Sequence, residues 1–399
     1  MELYLQFGYG MMALCRELVE EWEGGTVILS PRDLTSDQCQ RLSNSIRSLP
    51  NGKVLFDPQF YLPHADHERL VAHDFWPKAY STGGFFGGPE LAKLMSDLKA
   101  LNDELGTDQA VLPGLLAQEV TDDWLATQAA VLEEAQAVSF GRPLCQTIAL
   151  SAEACRMETQ VEHLLEHAEN FKADSYYLVV QHPKGNYLVD DPAWLSNLVD
   201  IIAGLKLNGG KVIVGYSNHQ MIVAAIAKAD AIASGTWMNV RSFPPEKFQL
   251  SYQEEIRQRA IWYYCPRALS EYKLPFLDIA KRVGVLDMLA PTVMDPRVAN
   301  LFGGEQPSTV GLSEGAAFRY YLSSLKLQVD ESLKGSFEDT ISAHEILLTE
   351  AETILASLRS RGIRGQMRDF TEIVDVNRAA IAATIATRGP ILRHQWHAL

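Results

Sequence analysis

The carboxylate of Asp57 is the clearest candidate for chemistry in this chain, because it directly follows a short apolar segment. Residues 54–56 are Val-Leu-Phe, and a carboxylate buried behind them is costly unless it is paired or used. Partial desolvation would raise its pKa and suit it to proton transfer. We therefore predict Asp57 as the principal acid, base or nucleophile, and Asp33 and His182 as the next catalytic candidates.

A second set of side chains, also placed after apolar segments, could hold a ligand. Amides can read the edge of a planar heterocycle through paired donors and acceptors, and aromatic rings can stack on its faces. The predicted binding residues are Gln59, Tyr61, Gln181, Tyr216, Ser217, Asn218, Gly235, Thr236 and Arg241. These residue types predict a planar, nucleobase-like small molecule as the ligand.

Each of these residues also has a purely structural alternative. Asp33 can cap the helix that follows it, and His182 can be a hydrogen-bonded structural histidine. Gly235 and Thr236 can form a turn of small residues, or they can offer backbone N–H groups to a phosphate. The types of residue alone do not separate these roles.

The stretch 60–90 is the longest insertion between the predicted elements, and it holds three histidines and several aromatic rings. The spacing of His64, His67 and His73 fits no standard metal site, so we predict neither a metal nor a cofactor. A glycine-rich run at 83–88 favours an aromatic lid with glycine hinges. The five cysteines are widely spaced, which predicts reduced thiols in the core.

The elements that must position these residues follow a repeating pattern. Eight short apolar segments, typical of strands buried on both faces, alternate with helical patterns. The predicted strands are 3–7, 26–30, 53–57, 109–112, 143–150, 176–180, 211–215 and 229–235. The helical patterns begin near residues 11, 35, 91, 121, 152, 191, 220 and 246. We predict a (β/α)8 TIM barrel over residues 1–245, with the candidate site at the carboxyl ends of its strands.

The rest of the chain, 246–399, is predicted to be a helical C-terminal region without a clear strand. Its helical patterns cover 313–325, 339–360 and 375–387. Residues 359–399 carry seven arginines, no lysine and three acidic residues. We predict that Arg361, Arg364 and Arg368 can contact the phosphates of a nucleic acid, because arginine binds phosphate with two parallel hydrogen bonds. The alternative is that these arginines pair with acidic groups of the same chain.

The bulk composition limits the class of protein. The chain has 399 residues and a formal net charge of −15, which counts against non-specific coating of DNA. We expect a soluble, cytoplasmic protein, since the sequence shows neither a signal-peptide pattern nor an apolar run long enough to span a membrane. A homo-oligomer or a multiprotein complex stays open at this point.

The segment from the seventh to the eighth predicted strand resembles the tRNA-guanine transglycosylase superfamily. It reads Lys-Val-Ile-Val-Gly-Tyr-Ser-Asn-His-Gln over 211–220, followed by a short apolar helix at 222–226 and a strand with an Asp at 229–232. Arg241 stands behind it, as an arginine does in that family. Asp57 corresponds to the family's Asp after an early strand, so the resemblance implies a role for it in base exchange.

Three further features bear on the resemblance. The run Ser-Thr-Gly-Gly-Phe at 81–85 is similar to the family's glycine-rich Asp-Ser-Gly-Gly-Phe element. The family's nucleophilic Asp would fall near Ala233 or Ser234, and neither is acidic. The family's zinc cluster of three cysteines and one histidine has no counterpart, since Cys265 stands alone.

Three functions therefore stay open from the sequence. The first is a barrel enzyme that binds a nucleobase-like ligand, as a transglycosylase-like protein of nucleic-acid modification. The second is a barrel enzyme that acts on an unrelated small molecule, with phosphorylated compounds as one option. The third is a catalytically inactive barrel that serves as a scaffold in a multiprotein complex.

Overall fold

The computed structural model describes residues 1–78, 80, 84–168, 170–252 and 260–399. Nine parallel strands form one sheet. They are β1 (Glu2–Gln6), β2 (Gly25–Leu29), β3 (Gly52–Phe56), β4 (Ala110–Val111), β5 (Leu116–Ala117), β6 (Leu144–Leu150), β7 (Ser175–Val180), β8 (Lys211–Val214) and β9 (Ala231–Ser234). The strand order is β3-β2-β1-β9-β8-β7-β6-β4, with β5 also beside β6.

The sheet curves into a nearly closed barrel. The first and last strands pair directly, with Leu5 opposite Ser234. Between β3 and β4 the gap is bridged at one point: the backbone N–H of Asp108 donates to the Val54 carbonyl over 3.0 Å, and the Val54 N–H donates to Asp108 Oδ2 over 2.9 Å. The predicted (β/α)8 barrel is confirmed, and the carboxyl ends of its strands form one mouth.

The fourth predicted strand, 109–112, is interrupted and continues as β5. Pro113 has no N–H for the ladder, and Gly114 passes close to the neighbouring strand. A Cβ on Gly114 would lie 2.6 Å from Cβ of Thr147, so only glycine fits this approach. The two short strands therefore take the place of one regular strand.

Helices cover the outside of the barrel. They are α1 (Met12–Glu21), α2 (Ser36–Arg47), α3 (Glu68–Val71), α4 (Pro89–Leu105), α5 (Asp122–Val138), α6 (Ala152–Arg156), α7 (Glu158–Ala168) and α8 (Pro192–Leu207). Two of the predicted helix starts carry side-chain caps: Thr35 accepts from the Gln38 N–H in a capping box, and Asp191 caps α8. After β8 a buried 3-10 stretch, His219–Ala227, replaces an α-helix. The pattern predicted from 246 gives only a 3-10 turn, Pro245–Phe248, before residues 253–259, which lie outside the described part.

The C-terminal region contains a hairpin as well as helices, so the expectation of no strand after residue 250 is wrong. Strands β10 (Trp262–Cys265) and β11 (Ser270–Lys273) pair antiparallel. The hairpin forms because its tyrosines, typical strand formers, bury their rings against neighbouring helices. The helices are α9 (Leu274–Arg282), α10 (Glu314–Ser332), α11 (Phe337–Arg359), α12 (Ile373–Thr387) and α13 (Gly389–Gln395).

The C-terminal helices pack against the barrel. The His344 ring on α11 is hydrogen-bonded to the Ile222 carbonyl over 3.0 Å, and Arg388 binds both carboxylate oxygens of Asp200 at 2.7 and 2.9 Å. One hydrophobic core runs through both parts. The domain boundary at residue 245 stays a prediction. Within the described residues, none of the helices combines the length and apolarity that crossing a membrane requires.

Candidate functional site

The carboxylate of Asp57 lies at the barrel mouth, with only 1% of the residue exposed. The hydroxyls of Tyr61 and Tyr216 donate to its Oδ2 over 2.7 and 3.0 Å. The backbone N–H of Gln59 donates to its Oδ1 over 2.8 Å. Tyr216 follows β8 and Asp57 follows β3, so the barrel brings together residues 159 positions apart in sequence.

Gln59 and Tyr216 have unusual backbone conformations. Their φ angles are 54° and 51°, in the left-handed region that favours glycine. The Gln59 side chain donates from Nε2 to the Tyr216 hydroxyl over 3.1 Å and to Ser30 Oγ over 2.9 Å, which holds both residues in place. Left-handed backbone costs a non-glycine residue roughly 1–3 kcal/mol and concentrates at functional sites. The strain supports a functional role for this mouth.

The network continues to Asp33 beyond the end of β2. Ser30 Oγ donates to Asp33 Oδ2 over 2.8 Å, and the Arg32 guanidinium donates to Asp33 Oδ1 over 3.0 Å. The Arg32 backbone N–H donates to Gln59 Oε1 over 3.0 Å. Asp33 is thus ion-paired, and it connects to Asp57 through Ser30 and Gln59.

A glutamine and a tyrosine on the barrel strands extend the polar group at the mouth. The Tyr177 hydroxyl donates to Gln6 Oε1 over 2.7 Å. Gln6 Nε2 is buried and has no hydrogen-bond partner among the described residues. An unsatisfied buried donor of this kind is costly, so it points to a group that a ligand could satisfy.

The electrostatics of the mouth suit proton transfer. Burial raises the pKa of Asp57 to about 6, while hydrogen bonds from Tyr61, Gln59 and Tyr216 and the charge of Lys247 limit the rise. Burial also raises the pKa of Tyr61 and Tyr216 well above 10, so both hydroxyls stay protonated at neutral pH. A carboxylate that titrates near neutrality can both accept and deliver a proton.

Residues 243–250, which we call the plug segment, cover this network. The Phe243 ring lies 4.9 Å from the ring of Tyr61 and 5.2 Å from that of Tyr216, measured between centroids. The ammonium of Lys247 lies 4.1 Å from the centroid of the Tyr216 ring, and the Phe248 ring packs on Tyr61 at 5.4 Å. All three plug side chains are buried, so the chain itself fills the mouth.

Three hydrogen bonds hold the plug segment to the rim. The Arg32 Nε donates to the Lys247 carbonyl over 2.7 Å, and the backbone N–H of His67 donates to the Phe248 carbonyl over 3.1 Å. The Leu250 N–H donates to Asp66 Oδ1 over 2.6 Å. The partners come from the loops after β2 and β3, so the plug is attached to the same loops that carry Asp33 and Asp57.

A second buried group, which we call the arginine cluster, contains the predicted Arg241. Arg241 and Arg368 approach Glu271 at 3.3 and 2.6 Å, and the Tyr187 hydroxyl donates to Glu271 over 2.7 Å. The Arg241 guanidinium also stacks on the ring of Tyr321 at 3.4 Å. Burial opposes the charge of Glu271, but Arg368 and Arg241 overcome it and lower its pKa to about 2. The cluster joins the barrel to the hairpin and the tail.

Asn218 and Ser217 have local structural partners. Asn218 Oδ1 accepts from the Gln220 N–H over 2.8 Å, which starts the 3-10 stretch, and its Nδ2 donates to the Tyr187 carbonyl over 2.6 Å. The Ser217 hydroxyl donates to the Val214 carbonyl over 2.9 Å. These contacts orient the turn after β8 and thereby Tyr216.

Gly235 and Thr236 form the turn after β9. A Cβ on Gly235 would lie 2.4 Å from the Gln6 carbonyl oxygen, so the turn packs tightly against β1. The Gly235 carbonyl accepts from Arg241 Nε over 2.8 Å. Thr236 Oγ1 is buried and has no hydrogen-bond partner in the described part of the chain. Phosphate binding by this turn stays a prediction.

Gln181 and His182 belong neither to the Asp57 network nor to the arginine cluster. Gln181 Oε1 accepts from the Ala152 N–H over 3.4 Å at the start of α6. The His182 ring is bonded through Nδ1 to the Asn186 carbonyl over 3.0 Å and packs on Trp194 at 5.5 Å. Burial lowers its pKa to about 4, which keeps it neutral near neutral pH. Its contacts match the structural alternative.

The insertion after β3 packs its aromatic rings together. Phe60 lies 5.1 Å from Trp76 and 5.8 Å from Phe85, and Tyr80 lies 5.0 Å from Phe85, between ring centroids. Residue 83, the first glycine of the predicted hinge run 83–88, lies outside the described residues, as do residues 81 and 82 of the transglycosylase-like element. The lid therefore stays a prediction, and its described rings extend the hydrophobic core beside the mouth.

All five cysteines are free and buried, as predicted. Burial raises the pKa of Cys39, Cys145 and Cys265 to about 12. Such thiols are poor nucleophiles at neutral pH, because the thiolate is the reactive form.

Most arginines of the tail pair with acidic groups of the same chain. This is the alternative to phosphate binding that the sequence analysis left open. The pairs are Arg359 with Glu372, Arg368 with Glu271, Arg378 with Glu352, Arg388 with Asp200 and Arg393 with Glu338. Arg361 and Arg364 are exposed. Arg368 is poorly placed for phosphate, since its side chain is only 13% exposed. Nucleic-acid binding stays a prediction.

Several residues of the Asp57 network, the plug segment and the arginine cluster were not among the predicted site residues, and Tyr177, Lys247 and Glu271 show why. Tyr177 stands inside an apolar strand, and a buried tyrosine hydroxyl usually needs a partner, which was the available signal. Lys247 follows Pro-Pro-Glu at 244–246, and nothing in that pattern marks it as buried. Glu271 lies in the hairpin, which the sequence did not reveal.

Comparison with known proteins adds little to this geometry. No protein-family model and no curated protein sequence matches the chain. Among solved structures, an O-GlcNAc hydrolase mutant of Thermobaculum terrenum is similar at a TM-score of 0.40 and 10% identity, over 99% of this chain and 96% of that chain. The carboxyl transferase domain of Rhizobium etli pyruvate carboxylase is similar at 0.36 and 10%, over 98% of this chain, which spans 61% of that one. Likeness at this level carries no functional argument.

Proposed function

We propose that the chain is an enzyme whose barrel mouth binds a planar, nucleobase-like molecule and transfers a proton at Asp57. One observation carries the proposal: a buried carboxylate with a pKa of about 6 stands at the carboxyl end of a barrel strand. Its neighbours Gln59 and Tyr216 are held in strained, left-handed backbone. Proteins retain costly arrangements of this kind where function requires them.

The two oxygens of Asp57 have different roles in this proposal. Oδ2 accepts two tyrosine hydroxyls, which hold the carboxylate in one orientation. Oδ1 accepts only the Gln59 N–H among the hydrogen bonds of the described residues, so it keeps a lone pair for a ligand. We assign proton transfer to Oδ1, with Tyr61 and Tyr216 as positioning residues.

Amides and aromatic rings support a planar heterocycle as the ligand. Gln6 Nε2 is a buried donor without a partner among the described residues and can meet the edge of a ligand, whereas the Gln59 amide is bound to Ser30 and Tyr216. The rings of Tyr61, Tyr216 and Phe243 form apolar walls around the carboxylate. An amide can bind the edge of a base through hydrogen bonds, while rings cover its faces.

Access requires the plug segment to move, because its side chains occupy the mouth. Phe243, Lys247 and Phe248 are almost completely buried on the network. Segments that close over a site exclude water from the reaction and often move on the microsecond-to-millisecond scale. The structure then represents the closed state, and the ligand takes the place of plug side chains.

The test is binding of free bases to the purified chain. Guanine, 7-deazaguanine, adenine, cytosine and uracil are titrated in turn, with the melting temperature and the heat of binding as readouts. We expect at least one base to raise the melting temperature, as any ligand of the native state does. Gln6→Leu should weaken that binding by about tenfold, since it leaves a polar edge of the base unpaired.

Gln181→Leu is the matched control, because Gln181 is an amide after a barrel strand that lies outside the network. It should bind like the wild type. If no base binds, and native mass spectrometry finds no small molecule retained by the chain, the proposal is wrong.

The sealed mouth favours a catalytically inactive scaffold as the second candidate. The acidic and amide side chains of the network, Asp33, Asp57 and Gln59, are already bound to other groups of the chain. A scaffold needs no opening, so amide hydrogen exchange in 243–250 would be as slow as in the barrel strands. Fast exchange of the plug with slow exchange of the strands would instead support the enzyme.

A further inference from the structure

Two histidines and an aspartate converge on the outside of the barrel, away from the Asp57 network. His163 and His167 stand four residues apart on α7, which places them on one helix face, and Asp122 opens α5 beside them. One ligand atom from each residue lies within 4.8 Å of the others. Among the described residues, this is the one group of three or more His, Cys, Asp or Glu side chains with such spacing.

The hydrogen bonds of both rings prepare them for a metal. His163 Nδ1 lies 3.1 Å from the Val120 carbonyl oxygen, and His167 Nδ1 lies 3.0 Å from the His163 carbonyl oxygen. A carbonyl can only accept, so each Nδ1 carries a proton, and each Nε2 offers its lone pair to a metal when the ring is neutral. Metal-binding histidines commonly have this arrangement, in which a carbonyl behind the ring fixes the tautomer and the orientation.

The loop before Asp122 is fixed to the same helix. The Val120 N–H donates to Gln160 Oε1 over 2.5 Å, while its carbonyl accepts from His163. Both backbone groups of Val120 are therefore bound to α7, two residues before Asp122. Asp122 Oδ1 lies 3.1 Å from His163 Nε2 and its side chain is 88% exposed, so it can rotate to meet an ion.

We propose that Asp122, His163 and His167 bind a first-row divalent metal ion such as Zn²⁺. Imidazole nitrogens and a carboxylate oxygen are ligands that suit Zn²⁺, Ni²⁺ and Cu²⁺. Three protein ligands on an exposed site leave further coordination positions for water or another ligand. The site stands at the end of the barrel where α5 begins, which is also the end of the strands that carries the mouth.

The sequence offered only a weak signal for this site. The motif His-x-x-x-His is common on helices, and Asp122 stands 41 positions before His163, as their residue numbers show. Only the packing of α7 against the loop before α5 brings the carboxylate to the histidines.

The experiment uses the full chain, freed of metal with a chelator. Zn²⁺ is titrated in competition with a chromophoric indicator, and Co²⁺ absorption reports the ligands directly. We expect one equivalent of Zn²⁺ to bind. His163→Gln and His167→Gln should each weaken binding by about tenfold or more, and Asp122→Asn less. The Co²⁺ spectrum should lack thiolate bands, since all five cysteines are buried.

His394→Gln is the matched control, because His394 is an exposed histidine near the end of another helix. It should bind Zn²⁺ as the wild type does. The three site residues are at the surface, so circular dichroism should show folded variants. If wild-type chain binds no Zn²⁺ at about 100 μM, or if neither histidine variant weakens the binding, the three residues form only an ion pair and the proposal is wrong.

Discussion

At the scale of single residues, the pKa values of two buried carboxyls, Asp57 in the mouth and Glu271 in the arginine cluster, are shifted in opposite directions. Asp57 is held by neutral hydroxyls and a backbone N–H, so burial dominates and its pKa rises to about 6. Glu271 is held by two guanidiniums, so its pKa falls to about 2 despite equal burial. A carboxyl that titrates near neutrality suits chemistry, whereas one that stays ionised suits structure.

The first prediction concerns Asp57→Asn and the pH dependence of stability. The folded protein binds the Asp57 proton more tightly than the unfolded chain, whose pKa is 3.8. The stability contributed by the neutral carboxyl is therefore complete below about pH 4 and is lost as the pH rises through about 6. Relative to Asp57→Asn, the free energy of unfolding of the wild type should therefore fall by on the order of 3 kcal/mol as the pH rises from about 4 through about 6.

Urea unfolding of both proteins from pH 4 to pH 8 measures this difference. A difference that stays constant with pH would mean that the Asp57 carboxyl titrates normally. Any activity found for the chain should fall steeply in Asp57→Asn, and activity retained within a few-fold would make Asp57 a structural residue.

The second prediction concerns Glu271→Gln in the arginine cluster. The variant leaves Arg241 and Arg368 without their buried counter-charge, and such losses cost about 3–5 kcal/mol. Because the pKa of Glu271 is lowered from 4.5 to about 2, its contribution is present above about pH 4.5 and is lost as the pH falls toward 2. Denaturant unfolding at pH 7 and at pH 3 measures both effects.

Glu372→Gln is the control for this prediction. Glu372 also pairs with an arginine, Arg359, but its side chain is 79% exposed. Exposed pairs contribute little, so we expect a loss below about 1 kcal/mol. Equal losses in the two variants would contradict a special role for the buried pair.

At the scale of elements, the mouth depends on loops rather than on the strands themselves. The strands bring the ends of β2, β3 and β8 to one place, and the loops after them carry Asp33, Asp57 and Tyr216. The plug segment then closes over these loops through hydrogen bonds to their rim. In the proposed enzyme, the stability of the plug segment decides how often the mouth opens.

The third prediction concerns Asp66→Ala, which removes the acceptor of the Leu250 N–H at the end of the plug segment. A hydrogen bond of this kind contributes about 1 kcal/mol, so the open state should become about fivefold more populated. Amide hydrogen exchange of Leu250 and its neighbours should accelerate accordingly. Asp74→Ala, at another exposed acid of the same insertion, is the control and should leave that exchange unchanged. Unchanged exchange in Asp66→Ala would mean that this bond does not hold the plug.

At the scale of the whole molecule, barrel and C-terminal region share one core and several ion pairs. Arg388 of the tail binds Asp200 on α8, and Arg241 of the barrel pairs with Glu271 of the hairpin. The chain has a net charge of −15, and most arginines of its tail form ion pairs with acidic side chains of the same chain. This leaves Arg361 and Arg364, both exposed, as the better probes of nucleic-acid binding.

The fourth prediction is that tRNA binds at low ionic strength through Arg361 and Arg364. The double variant Arg361→Ala, Arg364→Ala should weaken binding and reduce the slope of log affinity against log salt by about 1–2, since each lost phosphate contact lowers it by about one. Filter binding or fluorescence anisotropy at several salt concentrations measures the slope. Arg393→Ala is the control, because Arg393 pairs with Glu338. Absence of wild-type binding at low salt would remove this prediction.

By itself, the sequence determined the barrel, because its signals are local. Apolar runs that end in polar residues, capping residues such as Thr35 and Asp191, and breaks at Gly24 and Pro50 mark each element within a few residues. The position of Asp57 after an apolar strand also indicated its buried carboxyl, since desolvation follows directly from that position.

Tertiary structure alone decided which candidates share a site. Asp57, Gln59 and Tyr216 meet, while Gln181 and His182 serve neighbouring turns, because the direction of each side chain depends on the loop after its strand. The sequence analysis also did not predict four features: the hairpin, the arginine cluster, the plug segment and the Asp122–His163–His167 group. Each depends on contacts between distant segments, such as Lys247 on Tyr216, and no local pattern encodes such a contact.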